Sequence, residues 1–399
     1  MIRTRAWLAA AALATTLAGC ATSNRAGSAA QSTAAPPNRE VLGNGVVLIT
    51  QEHRAADVVA LQMWMRVGGR DEAPDELGLS HYLEHMLFKG TPTRPPGSID
   101  RLIEGLGGSS NAFTSYDFTH YDVVVPAAHI RPALELLADI AVNAAFVPEE
   151  LEAEKKVVFE EMNLTEDDPE KFLGRRLSEV AYRGHPYGRP LLGTREFIQA
   201  LDRARLNAYY KKHYVPRNMT LVVVGPLTAA QVRPLAQATF GRLTGPPTAR
   251  PAGVRVPSLA GGRRDEVTRP EQQAYLGLAW QAAATAVAAE DIPAVDPLTN
   301  ILGDGPSSRL NQTVREQKNL VHAIEAIVTS ESSYAFDIET AEGLAKSYGQ
   351  AETTWTLDNE LAYLGRLRQV TAAQIQAAAR KYLGDNDIAR VRFVPKATR

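Results

Sequence analysis

Two stretches of this 399-residue chain follow one plan. LNAYYKKHYVPRNMTLVVVG (206–225) and IQAAARKYLGDNDIARVRFVP (375–395) each carry a helix ending in a basic, aromatic-rich turn. A polar turn and a β-branched strand follow in both. Such recurrence points to two domains built by duplication, although a helix-then-strand unit is common enough to arise twice independently. The length agrees, being too great for one compact domain and suited to two. Hydrophobic residues make up 45% and charged residues 22%, an ordinary globular composition. With a net charge of -2 and no long basic run, a nucleic-acid partner has no electrostatic support.

The N-terminus reads MIRTRAWLAAAALATTLAGC. Arg3 and Arg5 precede an apolar core from Ala6 to Leu17, too short to span a bilayer comfortably and laid out like a secretory signal. Its end, Leu17-Ala18-Gly19-Cys20, resembles the lipobox of bacterial lipoproteins. That resemblance implies cleavage before Cys20, a lipid anchor on it and, with Ala21 next, the periplasmic face of the outer membrane. An ordinary signal peptide with an incidental cysteine fits the same residues. Cys20 is the only cysteine, which excludes an intramolecular disulfide. Residues 21–39 are small and polar and form a flexible tether. A first domain is expected over 40–245, a Pro/Gly-rich linker over 246–270 and a second domain over 271–399. Within the first, Gly43-Asn44-Gly45 signals a hairpin turn, and Val58–Val67 and Met219–Val224 read as strands. Pro148 opens a helix with acidic residues in its first turn.

The chemistry concentrates in His81-Tyr82-Leu83-Glu84-His85. On an α-helix, residues four apart differ by about 40° and residues three apart by about 60° the other way, so His81, Glu84 and His85 share a face. Two imidazoles so spaced can bind one metal ion, and a carboxylate between them can take a proton from water. Leu79, Leu83 and Leu87 fall on another face, free to pack. A surface helix with two solvated histidines has the same spacing.

The longer stretch GLSHYLEHMLFKGT (78–91) resembles the signature of the pitrilysin, insulinase and mitochondrial processing peptidase family of inverzincins. The resemblance implies an α+β fold of two related domains, each a mixed β-sheet with helices packed on one face, facing one another around a chamber. It also implies a third ligand from a later helix, with a second glutamate seven residues before it. Glu161 and Glu154 in EAEKKVVFEEMN match; seven residues come to about 700°, so both face one way. Glu160 is the alternative, about 100° round the helix from Glu161 and without a partner at that spacing. By resemblance His81, His85 and Glu161 hold one zinc ion, Glu84 is the general base, and Glu154 supports the site from behind.

Residues 111–125 (NAFTSYDFTHYDVVV) alternate and read as a strand. They resemble the family's active-site strand, which implies that Asn111 helps hold substrate as an added β-strand. A strand-start asparagine capping a turn is the plainer reading. In the second half, SSRLNQTVREQKNLVHAI (307–324) resembles the segment from which an Arg and a Tyr reach substrate and oxyanion. Arg315 matches the Arg, which is also an ordinary helix-surface residue; His322 stands where the Tyr is expected and can still donate a hydrogen bond. The second half is shortened, about 120 residues from Gln272 to Val394 against about 200 from Val41 to Leu243. The functional expectation is a zinc endopeptidase acting on peptides or unfolded segments. The alternatives are a zinc-site subunit active only with a related partner chain, as a homodimer or heterodimer, and a non-catalytic lipid-anchored peptide-binding protein.

Overall fold

The β-branched runs of the first half form one mixed sheet in this computed structural model, which describes residues 36–246, 255–285, 287–328 and 340–396. Its strands are β1 (Asn38–Val41), β2 (Val47–Glu52), β3 (Val58–Met65), β4 (Ser109–Thr114), β5 (Thr119–Pro126) and β6 (Met219–Gly225). They lie in the order β1-β2-β6-β3-β5-β4, with β2 parallel to β6 and the other neighbours antiparallel. The first-half helices are α1 (Leu79–Leu87), α2 (Ser98–Gly105), α3 (Ile130–Asn143), α4 (Pro148–Asp167), α5 (Pro169–Ala181), α6 (Arg195–Ala200), α7 (Arg203–His213) and α8 (Ala229–Ala238). The second half contributes β7 (Arg263–Arg269), β8 (Tyr275–Ala279), α9 (Ile292–Gly303), α10 (Ala341–Thr354), α11 (Leu357–Leu367), α12 (Ala372–Tyr382) and β9 (Ala389–Pro395).

The two halves are related. In the first, β6 follows α7 and sits between parallel β2 and antiparallel β3; in the second, β9 follows α12 and sits between parallel β7 and antiparallel β8. Beyond β3 the first sheet continues into β5 and β4, whereas among the described residues the second stops at β8.

Three expectations need correction. Residues 111–125 are not one strand but the hairpin β4–β5, reversed at Ser115–Phe118, where the Ser115 N–H donates to the Phe118 carbonyl at 2.8 Å. Alternation continues across the turn and conceals it. The expected linker over 246–270 holds strand β7, whose sequence RRDEVTR, five of its seven residues charged, lacks an apolar run because one of its faces is exposed. The expected tether ends early, since Asn38 and Arg39 already pair with Thr50 and Ile49. The first sheet carries its own helices on one face, as expected, and a helix of the second half covers the other.

On one face, Leu61, Met63, Met65, Tyr121, Val123, Leu221 and Val223 pack against α1, α3 and α7. On the other, Ile49, Ala60, Trp64, Val222 and Val224 pack against Ala341, Ala345 and Tyr348 of α10. Burial on both faces explains why β6, Thr220 apart, is apolar rather than alternating. Each large side chain so buried contributes about 1.5–3 kcal/mol. The exchange is reciprocal, for α5 of the first half lays Phe172, Val180 and Ala181 against Val391 and Phe393 of the second sheet. A paired carboxylate ties α10 down: Arg39 donates twice to Glu352 at 2.7 and 2.8 Å, and Arg66 donates to the Glu352 carbonyl at 2.7 Å. Among the described residues no helix is long and apolar enough to cross a membrane. Cys20 and the signal-like segment lie outside the described residues.

Candidate metal centre

Helix α1 is preceded by Gly78, whose φ of +91° is left-handed and where a Cβ would come within 2.7 Å of Gly193 Cα. Glycine offers no side chain to cap the first turn, and the cap comes from elsewhere. The buried Glu72 carboxylate accepts from the N–H of Gly78 and of Ser80, both at 2.8 Å. Leu79, Tyr82, Leu83, Met86 and Leu87 then bury against the sheet, which leaves His81, Glu84 and His85 on the opposite side.

Helix α4 crosses this face. Leu151, Glu154, Val158 and Met162 form its buried stripe, and Tyr82 Oη donates to the Leu151 carbonyl, pinning α4 to α1. The crossing brings Glu161 to the two histidines. His81 Nε2 lies 3.3 Å from His85 Nε2 and 3.4 Å from one Glu161 oxygen, while His85 Nε2 lies 3.6 Å from the other. A tetrahedral ion with ligands at about 2.0–2.1 Å holds them ~3.3–3.4 Å apart, so the spacing fits zinc. Two nitrogens and one carboxylate, with a fourth position left over, are the donor set of a catalytic rather than a structural zinc.

The surroundings support the same fit. His85 Nδ1 donates to Glu154 Oε1 at 2.7 Å, which leaves the Nε2 lone pair directed at the cluster. The buried Nδ1 of His81 has no partner among the described residues, nor has Oε2 of Glu84. Burial, reinforced by the adjacent His85, pushes His81 down to about 3, so it is neutral and able to ligate. For His85 burial acts downward too, but the Glu154 hydrogen bond and the nearby carboxylates outweigh it and raise the group. Burial raises Glu161 and Glu84, and a hydrogen bond from Thr114 partly offsets the rise at Glu84. A carboxylate lifted above its ordinary range is better matched to taking up a proton near neutrality.

Glu160 points away and accepts from Asn163 at 3.3 Å. Asn111 is exposed on β4, its Oδ1 accepting from the Ala112 N–H at 2.9 Å. β4 is the edge strand nearest α1, and among the described residues only β5 pairs with it. Arg315 sits in a π-type helical turn, Asn311–Gln317, faces its neighbour Glu316 at 3.6 Å and lines a second-half cleft with Gly303–Pro306. His322 is exposed. Among the described residues neither bonds to the histidine–glutamate cluster; the sequence expectation for both is contact with substrate.

Sequence reasoning missed Glu72, Lys89 and Thr114. Lys89 lies four residues beyond His85, a spacing that could have drawn attention; Glu72 and Thr114 arrive from loop and strand with no periodic signal.

Comparison with known proteins finds relatives of this chain at the level of family and fold. The family model described as Insulinase (Peptidase family M16) matches residues 47–195, and that of the Peptidase M16 inactive domain matches residues 200–392. The uncharacterized zinc protease YmxG of Bacillus subtilis is 33% identical over 283 residues, covering 70% of this chain and 67% of that protein. An uncharacterized zinc protease of Mycobacterium leprae is 32% identical over 299 residues, covering 72% of this chain. The match spans only 64% of the latter, just under two thirds of its length. Among solved structures, a protease from Helicobacter pylori superposes with a TM-score of 0.83 at 22% identity, covering 90% of this chain and 99% of that one. At that identity the likeness concerns the fold.

Proposed function

The chain belongs to the insulinase family of peptidases, family M16, and from that membership we propose that it is a zinc-dependent endopeptidase acting on peptides or unfolded segments. One observation carries the reading: His81, His85 and Glu161 converge at tetrahedral spacing while Glu84 presents an unpartnered carboxylate oxygen beside them. A single zinc ion held by these three residues would supply Lewis acidity, lowering the pKa of water and polarising a carbonyl. Glu84, held by Thr114, accepts the proton of the attacking water and returns it to the leaving amine. Glu154 fixes the His85 ring and its tautomer. Edge strand β4 offers main-chain groups to an extended peptide, which would grip substrate by added-strand pairing with Asn111 at its start. The proposal extends to a chamber closed by the second domain, with Arg315 and His322 as substrate contacts, and to attachment at the cell envelope through Cys20.

A second reading, that the chain works with a related partner subunit, is favoured by one feature. Leu276 and Leu278 project from β8 and are 58% and 38% exposed. They lie where the first sheet is covered and extended by further elements, and such surface invites a partner.

Unstructured peptides incubated with wild type, a chelated sample and Glu84→Gln test the proposal. It expects cleavage by wild type alone, with Glu84→Gln reduced at least 100-fold although it still binds zinc. Cleavage by Glu84→Gln at the wild-type rate would sink it. Cleavage that appears only on mixing with a zinc-motif-lacking homologue would select the second reading.

A further inference from the structure

Behind the candidate ligands lies a cation that neither the motif nor the family match assigns a role. Lys89 follows the last turn of α1, where its N–H bonds to the Met86 carbonyl at 3.2 Å and the helix dipole favours positive charge. Its ammonium lies 2.8 Å from Glu154 Oε2, while the other oxygen of the same carboxylate accepts from His85 Nδ1 at 2.7 Å. The Glu154 side chain is only 8% exposed and that of Lys89 36%, so the pair spans from the interior of the site to its rim. The Glu154 carboxylate thus has one cation on one oxygen and one imidazole N–H on the other, and both are used.

We propose that Lys89 is a positioning residue for the metal centre, acting through Glu154 to orient His85; the inference rests on the zinc reading above. The mechanism is geometric. A carboxylate with a single partner can rotate about its last bond and share either oxygen with water. Two partners on opposite oxygens remove that freedom and hold the His85 ring with Nε2 toward His81 and Glu161. Partners of this kind, one bond removed from the ligand, are worth about 10–100-fold in metal affinity. Lys89 is two bonds removed, and its effect belongs at the lower end of that range.

The test is zinc affinity of the full chain, measured by competition with a chromophoric chelator, which reads the site without requiring turnover. Lys89→Met is expected to bind zinc roughly tenfold more weakly than wild type, while Lys89→Arg, which keeps the charge and a donor, retains most of the affinity. Two further variants, Glu154→Gln and the double variant Lys89→Met/Glu154→Gln, isolate the relay. If Lys89 acts through Glu154, removing it in the Glu154→Gln background costs no further affinity, whereas an independent structural role gives additive losses. Should Lys89→Met fail to fold, Lys89→Gln is judged by the same criteria. Wild-type affinity in Lys89→Met, or additive losses in the double variant, overturns the proposal and leaves the zinc reading standing. A wild-type chain that takes up no zinc overturns both.

Discussion

Gly349 provides the sharpest test of how the halves join. It lies in α10 directly over Trp64, and a Cβ built there would enter the indole ring, more than an ångström inside the contact distance of about 3.5–4.0 Å. Trp64 cannot yield easily. It is fully buried, stacks on His120 at 4.5 Å, packs beside Phe118 at 4.8 Å and donates Nε1–H to Gln62 at 3.0 Å. In an exposed helix, glycine to alanine stabilises by about 1 kcal/mol. Here overpacking costs ~1–3 kcal/mol, and with a rigid ring below and helix backbone above the upper end applies. Gly349→Ala should therefore be destabilised by about 2 kcal/mol net, the opposite sign to the helix-propensity expectation. Denaturant unfolding followed by tryptophan fluorescence measures it, with zinc affinity as a control, since α1 lies on the opposite face of the sheet. Stabilisation of the variant would refute the placement of α10 on the first sheet.

Other expectations concern the metal helix. Removing the Glu72 carboxyl strands two buried N–H groups, so Glu72→Ala should cost about 2–4 kcal/mol, while the isosteric Glu72→Gln, whose single amide oxygen can accept from only one of them, should cost roughly half as much. Burial pushes Glu72 up to about 8 against backbone hydrogen bonds that lower it. The folded chain therefore keeps a proton there that the unfolded chain releases near its ordinary value of about 4.3. That contribution to stability is fully present below about 4.3 and is lost as pH rises through about 8, so the stability of wild type relative to Glu72→Gln should fall across this window. Thr114→Val removes the hydrogen bond that restrains Glu84, and the acidic limb of kcat/KM against pH should move upward; an unmoved limb would show that Glu84 is not the group titrating.

How much of this was legible in the sequence divides along local and non-local lines. Helix α1 with its metal face, helix α4 from Pro148 and the pairing of Glu154 with Glu161 all rest on the 3.6-residue period, which acts within one element. The echo of α7–β6 in α12–β9 was also readable, being two copies of a local pattern. What could not be read was which sheet a helix covers. Helices α5 and α10 each pack on the sheet of the other half, and nothing in their own amphipathicity names the partner. One clue was available in Ala341, Ala345 and Gly349, small residues four apart, whose stripe matches the close approach to Trp64. The turn inside residues 111–125 escaped because Ser115–Phe118 preserves the alternation that marks a strand. Glu72 escaped because it caps a helix from a loop, where spacing follows no period.

The claim on which the rest depends is that α1 and α4 together hold one metal ion, and metal content measures it directly. Purified wild-type chain should contain about one zinc per chain, as should Glu160→Gln, whereas Glu161→Ala and His81→Ala should contain close to none while remaining folded. Zinc retained at the wild-type level by Glu161→Ala, or a wild-type chain free of zinc after supplementation, would contradict the centre described here.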